Sequence, residues 1–248
     1  MVETSALTCT AEQLFTVVSR GNRNDLMLSL SNPAITEDHV IALLRNPVLT
    51  EQIVLEIADR YDWIATYSIQ FAIVNCRKSP YTLAMRLLPA LFWNDLLKTS
   101  LNYKLSPRIR RVAENYLQEK VFNLTLGERI NLARTGPRSI IKLMKMEKEP
   151  RVISALLRNS HLLEDDVLSL VNNQMTSPAI LRTIGLDYKW KVRYSIGLAL
   201  VRNQQTPLAV ALSFLSKLHQ PDLEIVSTHP HTRELIRRSA ERILSGRY

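Results

Sequence analysis

The chain has 248 residues, enough for one large core or two domains of ordinary size. Its 46% apolar and 22% charged residues exclude a disordered chain, and its six glycines, against a usual ~7%, leave little for hairpins or phosphate loops. The +9 formal charge is uneven: residues 1–120 hold 13 basic and 12 acidic side chains (+1), and residues 121–248 hold 19 and 11 (+8). A field of that kind favours anionic partners.

Apolar spacing and cap residues predict only helices, at 10–20, 23–31, 36–45, 50–60, 63–76, 80–91, 93–103 and 107–120, and then at 126–135, 137–147, 150–158, 164–173, 177–187, 189–203, 207–218, 221–228 and 231–245. Thr36-Glu37-Asp38 and Thr50-Glu51 place a hydroxyl cap ahead of acids that suit a helix N-terminus. Ser79-Pro80, Ser106-Pro107, Ser177-Pro178 and Thr206-Pro207 read as a cap followed by proline in the first turn. Thr125 and Glu128 have capping-box spacing. Helices this short gain stability by stacking in layers.

Compared with itself at a shift of 127, the chain aligns 28–121 with 155–248 without a gap, with 29 identities in 94 positions. Tyr61, Trp63, Tyr67, Ser68 and Ile69 recur as Tyr188, Trp190, Tyr194, Ser195 and Ile196, and Asp95-Leu96 recurs as Asp222-Leu223. The expectation is a tandem duplication, with a first helical unit over 1–121 and a second over 122–248.

The segment from Trp190 through Val192-Arg193 to Ala199-Leu200, followed by Asn203 and Thr206-Pro207, resembles the second helix of a HEAT-like repeat. Leu43-Leu44-Arg45-Asn46-Pro47 and Leu156-Leu157-Arg158-Asn159 resemble the turn of leucine-rich-variant repeats. The first unit departs from this pattern, with Ala65-Thr66 where Val192-Arg193 stand and Cys76 where Asn203 stands. The resemblance, to bacterial α-helical repeat proteins, implies an all-α, right-handed α-solenoid of HEAT-like helix pairs, which in most such proteins is a binding scaffold. One HEAT-like branch, the alkylpurine DNA glycosylases, is enzymatic; its catalytic residues find no matching positions here.

Two basic clusters are the candidate partner-binding residues. Arg138, Lys142 and Lys145 have i, i+4, i+7 spacing and are flanked by Arg129, Arg134, Lys148 and Arg151. Lys189, Lys191 and Arg193 interleave with Trp190 and Tyr194. Cations beside aromatics suit base stacking, but Trp63 and Tyr67 persist without the cations, which favours core packing for the rings. Arg110-Arg111 with Glu114, and Arg237-Arg238 with Glu241, read as helix-surface pairs.

His229-Pro230-His231 near Asp222 and Glu224 is too sparse for a metal site. Glu164-Asp165-Asp166 fits the macrodipole of a helix start, and Ser68 and Ser195 fall mid-helix with no histidine at a suggestive spacing. Asp187 beside Trp190 is the only carboxylate placed for glycosylase-like chemistry. The expectation is therefore no catalytic motif, no metal and no cofactor. Cys9 and Cys76 lie 67 apart, and no apolar run reaches the ~18 residues of a membrane span, which suits a cytoplasmic protein. The partner expected is an acidic protein held on the concave face and the basic second half, with nucleic acid as the alternative.

Overall fold

The structure is a computed structural model that describes residues 5–246. Among the described residues there are nineteen α-helices, two short 3-10 turns and no strand. The helices group into two compact units divided after Phe122.

The first unit contains α1 (Ser5–Thr8), α2 (Ala11–Arg20), α3 (Arg23–Ser29), α4 (Glu37–Leu44), α5 (Glu51–Asp59), α6 (Tyr61–Ile64), α7 (Tyr67–Val74), α8 (Tyr81–Leu87), α9 (Trp93–Ser100) and α10 (Pro107–Lys120). The second contains α11 (Leu126–Thr135), α12 (Arg138–Met144), α13 (Pro150–Leu156), α14 (Glu164–Asn172), α15 (Pro178–Leu186), α16 (Tyr194–Arg202), α17 (Leu208–Leu215), α18 (Gln220–Thr228) and α19 (Glu234–Ser245). Helix starts repeat at the shift of 127 seen in the sequence: 11 and 138, 23 and 150, 37 and 164, 51 and 178, 67 and 194, 81 and 208, 93 and 220, 107 and 234.

In the second unit alternate helices are neighbours. α11 packs on α13, α13 on α15, α15 on α17 and α17 on α19, while α14 packs on α16 beside that row. The apolar positions that face inward are fully buried, among them Leu132, Val152, Ile153, Val167, Leu181, Ile184, Ile196, Leu200, Ala211 and Leu223. In the first unit α1 packs on α3, α2 on α4, α4 on α7 and α8 on α10 around Leu14, Leu26, Val40, Ile53, Ile57, Ile69, Ile73 and Leu96.

Buried asparagines join successive helices. The Asn32 side-chain amide donates to the carbonyls of Ala6 (3.0 Å) and Cys9 (3.2 Å), and its oxygen accepts from the Ala34 N–H at 2.8 Å. At the same distance along the second unit, Asn159 donates to Ala133 (2.9 Å) and Gly136 (3.0 Å) and accepts from His161 N–H at 2.8 Å. Asn46 donates to the Val18 carbonyl and Asn203 to that of Val171. Each amide closes its own turn and occupies carbonyls at the end of a neighbouring helix, which would otherwise be buried without donors.

Several helix ends differ from the sequence expectation. The stretch predicted as 63–76 is broken into α6 and α7, because the Gln70 amide donates to the Ile64 carbonyl and the Thr66 hydroxyl to the Asp62 carbonyl. Those two bonds satisfy the end of α6 and let the chain turn. The helix predicted from 189 starts at Tyr194, because the Asp187 carboxylate accepts from the Lys189 and Trp190 N–H groups and holds a turn there. Ser106 and Ser177 cap as expected, each accepting from the N–H three residues on. Ser79 and Thr206 do not: Pro80 and Pro207 keep extended ψ of 138° and 134°, the helix begins one residue later, and both hydroxyls are buried without a partner. The Thr50 hydroxyl is likewise unbonded. Arg238 pairs with Glu234, not Glu241, and Arg110 lies over the Tyr103 ring at 4.9 Å.

Two glycines let α15 and α16 approach α17. A Cβ on Gly185 would lie 2.5 Å from Val210 Cγ1, and one on Gly197 would lie 2.8 Å from Phe214 Cδ1. In the first unit Gln70 and Leu87 stand at the positions of Gly197 and Phe214, a large-for-small exchange in reverse. Gly197→Ala is therefore expected to destabilise the protein in urea titrations, since overpacking of about 1–3 kcal/mol exceeds the roughly 1 kcal/mol that alanine gains in a helix. In a Phe214→Leu background the same substitution should become neutral or stabilising; an equal loss in both backgrounds would refute the packing account.

Candidate binding surfaces

Charged and hydroxyl side chains do two different jobs in the second unit. Along α12, α14, α16 and α18 they tie helix to helix. Asp166, in the first turn of α14, accepts from Arg138 and, at 3.1 Å, from Lys145, whose ammonium also donates to Ser169 at 3.0 Å. Glu164 accepts from the Ser195 hydroxyl of α16 and lies 3.9 Å from Arg193. Asp222, in α18, accepts from the Tyr194 hydroxyl and, at 3.1 Å, from Arg202.

The first unit repeats the hydroxyl bonds. Ser68 donates to Glu37, and Tyr67 donates to Asp95 at 2.6 Å while accepting from the Phe92 N–H at 3.0 Å. Burial and the Asp95 carboxylate push the Tyr67 hydroxyl up to about 12. Ser68 and Ser195 thus sit in the first turn of their helices, not mid-helix, and each is bonded to a glutamate. Where the second unit has Asp166 the first has His39, whose Nε2 lies 2.8 Å from the Ala11 carbonyl.

These ties use up much of the basic stripe read from the sequence. Arg138 and Lys145 are held by Asp166, Arg129 by Glu147 at 2.8 Å, and Arg151 by Glu149 at 2.9 Å. Of the second cluster, Arg193 faces Glu164 and Lys189 lies over the Trp190 ring at 4.4 Å. Arg134, Lys142, Lys148 and Lys191 are exposed and make no ion pair among the described residues.

Two further cations, Arg158 and Arg182, are equally exposed and unpaired. Sequence spacing does not single them out, because Arg182 is the only charge on α15 and Arg158 lies just past the end of α13, seven residues from Arg151. They become legible once α11, α13 and α15 are seen to be neighbours. The α13, α15 and α17 helices contain no acidic residue, so Arg134, Arg158 and Arg182 belong to a row with little to neutralise them, while Lys148 lies in the loop before α13 between Glu147 and Glu149, which Arg129 and Arg151 engage.

Trp190 is buried, and its indole N–H donates to the Leu157 carbonyl at 2.9 Å, so this ring is core. Trp63 is half-buried beneath the Arg60 guanidinium, which also donates to the Leu30 carbonyl at 2.7 Å. Asp187 is committed to its turn.

A cavity of about 590 Å³ beside α16 and α18 is lined by Gln174, Arg202, Gln204, Ile225, His229 and His231, among others. His229 takes the place of Asn102: its Nδ1 accepts from the His231 N–H at 3.3 Å, as Asn102 accepts from Lys104 N–H at 3.1 Å. Among the described residues no group of three or more His, Cys, Asp or Glu is placed to hold a metal, and no helix is long and apolar enough to cross a membrane.

No family model matches this chain, and neither does any curated protein or solved structure.

Burial pushes the Asp166 carboxyl up, but hydrogen bonds from Arg138, the Leu163 N–H and Lys145 outweigh it and hold it below the ordinary carboxylate range. A depressed native value means stability that is present above the unfolded pKa of ~3.9 and lost as pH falls through the native value. Asp166→Asn should cost about 1–3 kcal/mol at pH 7. Its deficit relative to wild type should shrink as the pH drops below 4, read from urea midpoints at each pH. A deficit that does not change with pH would mean the carboxylate charge is not what holds α12 to α14.

Proposed function

We propose that the chain is a non-enzymatic α-solenoid scaffold of HEAT-like helix pairs, built as two tandem homologous units, whose basic second unit holds an acidic protein surface. The solenoid reading is supported by helix starts that repeat at 127 residues and by alternate helices packing as neighbours. It is also supported by asparagine bonds that fall at corresponding carbonyls in the two units.

The binding reading rests on one observation. Arg134, Lys148, Arg158 and Arg182 are unpaired on or beside the acid-poor row α11, α13 and α15, while Glu164 and Asp166 of α14 and Asp222 of α18 are spent on neighbouring helices. Exposed guanidinium and ammonium groups left without internal partners cost the fold little, and together they attract an anionic surface.

The test is fluorescence anisotropy of labelled polyglutamate and of generic duplex DNA at ~50 and ~200 mM salt. Polyglutamate should bind, weaken with salt, and lose most of its affinity when Arg134, Lys148, Arg158 and Arg182 are changed together to alanine. Duplex DNA binding tighter than polyglutamate, with a steep salt slope, would replace the acidic-protein reading with the nucleic-acid one. Binding of neither polymer would overturn both.

A further inference from the structure

The loop between α15 and α16 is built rigidly and presents an apolar surface. Asp187 Oδ1 accepts from the N–H groups of Lys189 (2.9 Å) and Trp190 (3.3 Å), the Lys191 N–H donates to the Asp187 carbonyl (2.9 Å), and the Arg193 N–H donates to that of Trp190 (3.0 Å). The buried Trp190 pins the loop to the end of α13 through its bond to Leu157.

On this frame Leu186 is 62% exposed, Tyr188 74% and Val192 72%, side chains that elsewhere in the unit are mostly inside. Leu163, 54% exposed, immediately precedes the Glu164 that faces Arg193. Lys189, Lys191 and Arg193 alternate with these apolar groups, and Lys191 has no ion-pair partner among the described residues.

We propose that residues 186–194 are the anchor point for an acidic protein segment that also bears apolar side chains, which rests on the acidic-partner reading above. A fixed loop that exposes three apolar side chains has already lost the conformational entropy that binding usually costs. Large apolar groups ringed by cations match a segment in which acids flank an apolar residue. Two of the three exposed groups are aliphatic, which favours protein side chains over stacked bases. The first unit supplies an internal comparison. Tyr61 is 81% exposed at the place of Tyr188, but Asp62 and Ile64 stand where Lys189 and Lys191 do.

The experiment uses the full chain and four probes: a random copolymer of glutamate and tyrosine, polyglutamate, oligothymidylate, and phosphatidylserine–phosphatidylcholine vesicles. The copolymer is expected to bind about tenfold more tightly than polyglutamate. Tyr188→Ala with Val192→Ser should bring it down to the polyglutamate level, and Tyr61→Ala should leave it unchanged. Both replaced side chains are exposed, so the variant should keep the wild-type melting temperature, which is checked first. Polyglutamate binding without a preference for the copolymer, or a preference that survives the double substitution, overturns this proposal alone. Failure of both polymers overturns the acidic-partner reading with it. Loop-dependent binding that is tighter for oligothymidylate or for vesicles assigns the loop to that partner instead and overturns the proposal.

Discussion

A primary amide has two N–H donors and an acceptor oxygen on one planar head, so it can mend two breaks in the backbone at once. Helices of four to fourteen residues leave many such breaks, because the last carbonyls of each have no partner inside their own helix. Asn32 and Asn159 stand where one helix has ended and lie against the ends of neighbours. Replacing either by a residue of similar size without the amide would leave buried carbonyls dry, at about 1–3 kcal/mol for each unsatisfied group. These amides hold carbonyls that helix formation by itself leaves unpaired.

With turns fixed in this way, the acid at the start of a helix becomes a link to the next one. Glu37 with Ser68, and Glu164 with Ser195, join corresponding helices in the two units, and Tyr67 with Asp95 and Tyr194 with Asp222 do the same. The helix macrodipole alone would account for acids at these positions, but it does not account for which helix they face. Where Asp166 is replaced by His39, the link survives in another form, through an imidazole and a backbone carbonyl. Glu164, Asp166 and Asp222 are thereby engaged within the unit, so the exposed cations without an ion pair among the described residues include Arg134, Lys142, Lys148, Arg158, Arg182 and Lys191.

Sixteen of the seventeen helices expected from cap residues and apolar spacing are present, the stretch 63–76 being split into α6 and α7, and α10 and α11 match their predicted bounds. What local pattern could not give was the breaks. The turn at Asp187 depends on an aspartate closing its own loop and on Trp190 reaching Leu157, 33 residues away. The basic stripe is only partly unpaired for a similar reason: the partner of Arg138 and Lys145 is Asp166, 28 and 21 residues on. Spacing shows which residues share a face of one helix and is blind to the acid that the next helix brings. The identities at a shift of 127 held some of this information, since Tyr67, Asp95, Ser68 and Glu37 all recur.

The connection at 59–66, which includes α6, and the loop at 186–193 separate what folding demands from what it leaves open. Each must place a donor on a carbonyl at the end of an earlier helix. Arg60 does so for Leu30 in one unit and Trp190 for Leu157 in the other, so the requirement is met by different chemistry at positions that do not correspond. Each also exposes a tyrosine whose hydroxyl makes no hydrogen bond among the described residues, and exposure of a large ring is a feature that folding does not select. Around those tyrosines the net charge changes sign, from −1 (Asp59, Arg60 and Asp62) to +2 (Asp187, Lys189, Lys191 and Arg193), although Arg60 and Asp187 themselves exchange the other way, between helices that start at matching positions. Solvated side chains of either sign are tolerated by the fold at almost no cost. The sign of charge at this loop is therefore free to follow whatever meets it, and on the proposed acidic-partner reading the second unit is where that difference can be tested.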